Sequence, residues 1–254
     1  MTRIIAISSG KGGVGKTTLV ANLAAALAQY GKSVVALDAN LTTSNLALHL
    51  GMHLYPKTIH DVFEGRARVQ DVIYSHKTGF KVVPADISLR KPKNIKSHHY
   101  IDVLYKLLEG HDFILIDSPA GLGRDSIAAI EAADELITVT NPELPAVTDA
   151  LKLTMLAHKY STHNLGIVLN RIRGETHEIP SEHIEKMIGL PIIGKIPEDR
   201  EVRKAIALKE PVVVYNPRSP ASQHIRAIAA SLIGETYEPK IPLSYRLFNW
   251  LSTR

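Results

Sequence analysis

Short runs of aliphatic residues alternate with longer stretches of helical periodicity along most of the chain. The runs read as strands at residues 4–8, 33–38, 80–84, 113–117, 136–140, 165–170 and 192–196, with an eighth at 212–215. They are almost uniformly apolar rather than alternating, which marks strands buried on both faces. Joined by helices, they predict a single α/β domain: a mostly parallel, twisted sheet of about eight strands covered by helices on both sides. Ligands of such sheets bind beyond the carboxyl ends of the strands. Asp38, Asp117, Asn141 and Asn170 stand at those ends.

The first strand runs into Gly10-Lys11-Gly12-Gly13-Val14-Gly15-Lys16-Thr17-Thr18, and an alanine- and leucine-rich helix over 17–30 follows, closed by Gly31. Strand, glycine loop and helix is the context of a phosphate-binding P-loop, and the spacing G-x-x-x-x-G-K-T is complete. Glycines let backbone N–H groups approach phosphate oxygens with no Cβ in the way. Lys16 supplies a compact positive charge for the β- and γ-phosphates, and the helix N-terminus adds its partial positive charge. The Thr17 hydroxyl is placed to ligate Mg²⁺. A nucleoside triphosphate site is expected.

The second lysine, Lys11, gives K-G-G-V-G-K-T-T, which resembles the deviant Walker A motif of the MinD/ParA family of dimerising ATPases. The resemblance implies that Lys11 reaches across a two-fold interface to the partner's nucleotide, in an ATP-dependent homodimer. It extends over nearly the whole chain. Phe113-Ile114-Leu115-Ile116-Asp117 is a Walker B pattern whose carboxylate holds Mg²⁺ through water. The continuation Ser118-Pro119-Ala120-Gly121 resembles switch II, with Gly121 sensing the γ-phosphate. Leu37-Asp38-Ala39-Asn40 resembles switch I, where the family carries D-x-D. Asp38 fits the first carboxylate, near Mg²⁺ or its waters, while Asn40 stands where the second is expected. An amide can orient water but accepts protons poorly. Three readings follow for turnover: Asp38 suffices, hydrolysis is slow, or the ATP-bound state is held. Asn45 matches a switch I asparagine of the family near the nucleotide, or it caps the helix that begins at Leu46.

By the same resemblance, Asn170 and Arg171 lie on the adenine edge and Pro197, Glu198 and Asp199 pack on the base. An asparagine amide both donates and accepts, as adenine requires. No N-K-x-D guanine signature occurs, so ATP is the expected nucleotide. Thr140-Asn141-Pro142-Glu143 resembles a strand-end motif near the dimer face.

Composition narrows the choice of function. The chain has 254 residues, 45% of them hydrophobic, enough for one large core. It contains no cysteine, which removes disulfides, thiolate nucleophiles and cysteine-held clusters. The first residues enter a strand directly, with no room for a signal peptide, and no apolar run reaches the roughly 18–20 residues of a bilayer span. A cytoplasmic location is expected. The twelve histidines form no H-E-x-x-H pattern, and His98-His99 reads as a solvated loop. The net charge of +5 suits an anionic partner without choosing one.

Residues 1–234 are expected to form the ATPase domain and 235–240 a polar connector. On a helical projection of 241–254, Leu243, Leu247, Phe248, Trp250 and Leu251 share one arc with Ser244 and Arg254, while Tyr245, Arg246, Asn249, Ser252 and Thr253 occupy the other. The sole tryptophan and the neighbouring basic residues suit an anionic membrane surface. The family's last residues form such a membrane-targeting helix, so peripheral attachment to the cytoplasmic face is expected; docking on the chain's own domain is the alternative. One short helix binds lipid weakly, whereas two in an ATP-held dimer gain avidity. The first expectation is therefore a MinD-like positioning ATPase with an unidentified stimulating protein. Its rivals are a ParA-like partition ATPase bound to DNA and a non-hydrolysing ATP-bound scaffold. No acceptor-substrate motif favours a metabolic kinase.

Overall fold

In the computed structural model, which describes residues 1–52, 55–87 and 96–240, eight strands form one sheet. They are β1 (Arg3–Ser8), β2 (Val34–Asp38), β3 (Tyr74–Ser75), β4 (Lys81–Val83), β5 (Phe113–Asp117), β6 (Glu135–Thr140), β7 (His163–Ile172) and β8 (Ile192–Pro197). Their order is β3-β4-β2-β5-β1-β6-β7-β8, all parallel except the β3–β4 pair. The helices are α1 (Lys16–Gln29), α2 (Leu46–His49), α3 (Ile59–Phe63), α4 (Ser97–Leu107), α5 (Arg124–Glu131), α6 (Leu144–Lys159), α7 (Ser181–Ile188), α8 (Arg200–Ala207), α9 (Val212–Tyr215) and α10 (Pro220–Leu232).

Successive side chains of each strand enter opposite cores, which is why the strands are apolar throughout. Ile5, Ile7, Ala36 and Leu115 pack with α1, α9 and α10 on one face. Ile4, Ala6, Leu37 and Ile116 pack with α3, α4, α5 and α6 on the other. A smaller cluster joins β7 to α6 and α7 through Ile167, Leu169, Val147 and Ile184. Helix α1 is buried on almost every side, consistent with a composition of alanine and leucine rather than a polar stripe.

Parallel register fixes the site. Asp38 is paired with Asp117, and Asp117 with Ile7, so both carboxylates and the start of the glycine loop stand side by side at the strand tips. Arg3 braces the other end of β1 with two hydrogen bonds of 2.9 Å to Glu135.

Three elements differ from expectation. Residues 212–215 are helix α9, not a strand. Pro211 precedes the run and Pro217 follows it, the Val213 N–H donates to Asn22 Oδ1 at 3.1 Å, and the Ser222 hydroxyl donates to the Val212 carbonyl at 2.8 Å. A short apolar run does not itself distinguish strand from buried helix. The eighth strand is instead β3, a two-residue antiparallel edge too short to leave a pattern. His98 and His99 lie in the first turn of α4 rather than in a loop, although His98 is exposed as expected. The tail, 241–254, lies outside the described residues; among the described residues no helix is long and apolar enough to cross a membrane. The connector before it lies along the domain: the Tyr237 hydroxyl and the Lys240 N–H both donate to Gln223 Oε1 at 2.9 Å.

The glycine loop is wedged against α6. A Cβ on Gly10 would stand 2.5 Å from backbone atoms of Asp149, which cannot rotate away, whereas one on Gly12 would meet only Ala120 Cβ at 3.9 Å. Gly10→Ala is therefore expected to lower stability by about 1–3 kcal/mol, and Gly12→Ala to leave it nearly unchanged, both read by urea unfolding.

Candidate functional site

The turn from β1 into α1 is held from several sides. Gly15, at φ +98°, occupies the left-handed region, and a Cβ there would collide with Asn170 Nδ2 at 2.2 Å. The Asn170 amide donates to the Val14 carbonyl at 2.7 Å, tying the end of β7 to the loop. Buried Ser9 is the hub beneath. Its hydroxyl accepts from Lys16 Nζ at 2.9 Å and donates to the Lys11 carbonyl at 2.6 Å, while its own carbonyl accepts from the Gly121 N–H at 2.9 Å.

Two adjoining clefts open above this loop. The first, about 320 Å³, is lined by Gly12, Gly13, Gly15, Lys16, Thr17 and Thr18, facing Asn40, Thr43, Asn45 and His49. The second, about 240 Å³, lies between Asn170, Arg171 and Arg173 on one side and Pro197, Glu198, Asp199 and Arg203 on the other. They share Gly15, Thr18, Arg171 and Ile206, so one groove runs from the strand tips to the loop after β8. Arg171, at φ +58°, carries a backbone conformation unusual for a side chain of its size. Its guanidinium lies 3.9 Å from Glu198.

The polar end of the groove carries three buried charges. Burial pushes Asp117 up to about 7, with the Asp38 carboxylate adding to the rise and the Thr17 hydroxyl and Lys16 opposing it. Burial pushes Asp38 up to about 6 against its hydrogen bonds from Ser44 and the backbone of Asn40 and Leu46. Burial lowers Lys16, with Asp117 opposing. Asp117 Oδ1 is buried and has no hydrogen-bond partner among the described residues. An unsatisfied carboxylate oxygen beside a threonine hydroxyl is an all-oxygen donor set suited to Mg²⁺, which keeps several waters and phosphate ligands of its own. No cluster of three or more His, Cys, Asp or Glu capable of holding a metal occurs among the described residues.

Residues 38–45 bend back on themselves. Asp38 accepts from the Asn40 N–H at 3.0 Å, the Ser44 hydroxyl at 2.7 Å and the Leu46 N–H at 3.3 Å. Its oxygens thus organise the segment, and its charge acts on Asp117. Asn40 Oδ1 accepts from the backbone and hydroxyl of Thr43, both at 3.1 Å. Asn45 makes no side-chain cap on α2; it bonds the Thr43 carbonyl at 2.9 Å and lines the groove. Lys11 is not among the residues that line the groove; its side chain is 52% exposed and its Nζ lies 3.9 Å from Glu143.

A family model described as ParA, NUBPL iron-transfer P-loop NTPase, matches residues 1–233. An uncharacterized ATP-binding protein of Methanocaldococcus jannaschii is 43% identical over 241 residues, covering 95% of this chain and 91% of that one. The chain belongs to the ParA/MinD family of P-loop NTPases. Among solved structures, the Pyrococcus furiosus cell division ATPase MinD superposes with a TM-score of 0.88 at 37% identity, over 92% of this chain and 99% of that one. The septum site-determining protein MinD of Pyrococcus horikoshii, complexed with Mg-ADP, gives 0.87 at 37% identity over 91% and 96%.

Within this ParA/MinD domain the structure gathers Gly12, Gly13, Gly15, Lys16, Thr17, Thr18, Asn40, Asn45, Asn170, Arg171, Pro197, Glu198 and Asp199 around one groove. Asp117 and Gly121 lie at its floor through their contacts with Thr17 and Ser9. Asp199 shapes the wall: its carboxylate accepts from the Glu201 and Ala221 N–H groups at 2.9 and 3.2 Å. Sequence reasoning missed Ser9, His49, Arg173, Arg203 and Ile206. Only Ser9, a small polar residue abutting the glycine run, left a usable signal.

Both raised carboxyls bind protons in the folded chain that the unfolded chain has released. Without ligand, stability should therefore fall as pH rises from about 4, each contribution levelling off above its folded value of about 6 for Asp38 and about 7 for Asp117. Asp117→Asn is expected to flatten the upper part of that slope, measured by urea unfolding at a series of pH values.

Proposed function

We propose that the chain binds Mg·ATP in this groove, pairs with a second copy across the nucleotide, and attaches reversibly to an anionic membrane surface through residues 241–254 as a positioning ATPase. The observation that carries the proposal is the continuous groove, with a complete P-loop at one end and Asn170 beside the loop after β8 at the other. In it, Gly10, Val14 and the remaining loop residues present backbone N–H groups to the phosphates, and Lys16 shifts from Ser9 to the β- and γ-oxygens. Thr17 and Asp117, with its orphaned carboxylate oxygen, would hold Mg²⁺, and Asp38 adds negative charge beside them. An ion held there would supply positive charge for the transferred phosphoryl oxygens. Asn170 keeps a carbonyl and one N–H for the edge of adenine while its other N–H stays on Val14. The Gly121 N–H has a single proton, so it reaches a γ-phosphate only by leaving the Ser9 carbonyl.

Lys11 supports the pairing: its side chain is solvent-facing, makes among the described residues one ion pair, at 3.9 Å to Glu143, and can turn to a partner's phosphates. Asn40 favours a second reading, an ATP-bound scaffold with little turnover, because its Oδ1 is committed to Thr43 and no carboxylate stands in its place.

With saturating Mg·ATP the chain should double its mass in light scattering, remain monomeric with Mg·ADP, and remain monomeric with either nucleotide as Lys11→Ala. Pelleting with anionic vesicles should require ATP and be lost when the chain is cut after Lys240; salt-sensitive DNA binding that survives the cut would favour the partition reading instead. Asn40→Asp should raise hydrolysis on the order of 10- to 100-fold if the native amide limits turnover, and equal fast rates would sink the scaffold reading.

A further inference from the structure

Residues 39–45 have two sides. Asn40, Thr43 and Asn45 line the groove, whereas Ala39 and Leu41 are buried in the opposite core with Ile59 of α3 and Tyr100 of α4. On that outer side two side chains grip the segment's carbonyls. Tyr100 donates its hydroxyl to the Ala39 carbonyl at 3.1 Å, and Tyr100 is seated edge-on against Phe63, with ring centres 5.2 Å apart. His60 is buried, its Nε2 lies 3.1 Å from the Leu41 carbonyl, and its Nδ1 accepts from the Asp86 N–H at 3.1 Å. Because Nδ1 accepts, the ring proton sits on Nε2 and the second contact is a donated hydrogen bond. The imidazole therefore bridges two backbones, one on each side, and ties the groove-lining segment to the loop that follows β4. The Ser44 hydroxyl approaches the same place from within the segment, 3.2 Å from the Ala85 carbonyl.

We propose that His60 is a positioning residue for triphosphate recognition. By holding Leu41 from outside, with Tyr100 holding Ala39, it keeps Asn40, Thr43 and Asn45 at the height where the last phosphate of a nucleoside triphosphate meets them. The inference rests on the groove being the nucleotide site. A loop ordered before the ligand arrives loses less freedom on binding, so the brace acts on the ligand that reaches the loop and not on one that stops short of it. Its effect is discrimination between ATP and ADP.

The test uses the full chain with His60→Leu, which can neither donate nor accept, and His60→Gln, whose amide can do both. Tyr100→Phe, which removes only a hydroxyl and keeps the ring on Phe63, is the second variant. In the ligand-free chain, His60→Leu should speed hydrogen exchange at the Thr43 and Leu46 N–H groups about fivefold or more. It should weaken Mg·ATP binding about five- to tenfold and leave Mg·ADP within about twofold. His60→Gln should restore both readouts, and Tyr100→Phe should move them in the same direction as His60→Leu. Unchanged exchange with an unchanged ATP-to-ADP ratio overturns the proposal. So does a parallel loss of ATP affinity, ADP affinity and thermal stability that glutamine fails to rescue. If the parent chain binds neither nucleotide, the proposed function fails instead, and the exchange rates alone decide whether His60 holds the loop.

Discussion

Two carboxylates buried side by side at the tips of adjacent parallel strands constrain everything around them. Register alone places Asp38 next to Asp117, and burial leaves both reluctant to ionise. Lys16 is a cation that acts on Asp117, and burial discourages its charge as well. With all three ionised, the cluster carries one negative charge too many. A divalent cation would relieve that imbalance and would also satisfy the orphaned Asp117 oxygen. The surrounding backbone keeps the groups from drifting apart: the Ala39 N–H is bonded to the Asp117 carbonyl, the Ser118 N–H to that of Ile7 and the Gly121 N–H to that of Ser9.

The loops that close on this cluster are each held by a few single hydrogen bonds, in contrast to the continuous ladders of the sheet beneath. Ser9 gathers Lys16, Lys11 and Gly121; Asp38 gathers Asn40, Ser44 and Leu46; His60 and Tyr100 grip the outer side. Elements secured this way open at low free-energy cost. A rigid sheet carrying lightly latched loops at one end is what a nucleotide-responsive domain of the ParA/MinD family requires, since a ligand moves only what little free energy restrains.

Much of this was legible in the residues. The glycine loop announces itself because close backbone approach to phosphate leaves few substitutes at fixed spacing. Asp38 and Asp117 were visible because an aliphatic run ending in an acid reads the same in any buried parallel strand. The convergence of Asn170 and 197–199 on the loop came from family resemblance, since nothing local in those residues points across the sheet. The strand expected at 212–215 failed because flanking prolines and a tertiary hydrogen bond to Asn22 outweigh β-branching. His60 was invisible for a related reason. A histidine two residues after a capping threonine reads as surface, and only the fold brings it to a carbonyl 19 positions earlier in the chain.

The connector adds a consequence for reach. Residues 235–240 double back along α10, so Lys240, the last described residue, stands not at the end of that helix but beside Gln223, near its beginning. Gln223 lies one short step from Ala221, whose N–H is held by Asp199 in the wall of the groove. Lys240 thus lies near the groove's wall, displaced along α10 by roughly 14 Å from the helix's far end. The groove and the last described residue therefore share one corner of the domain.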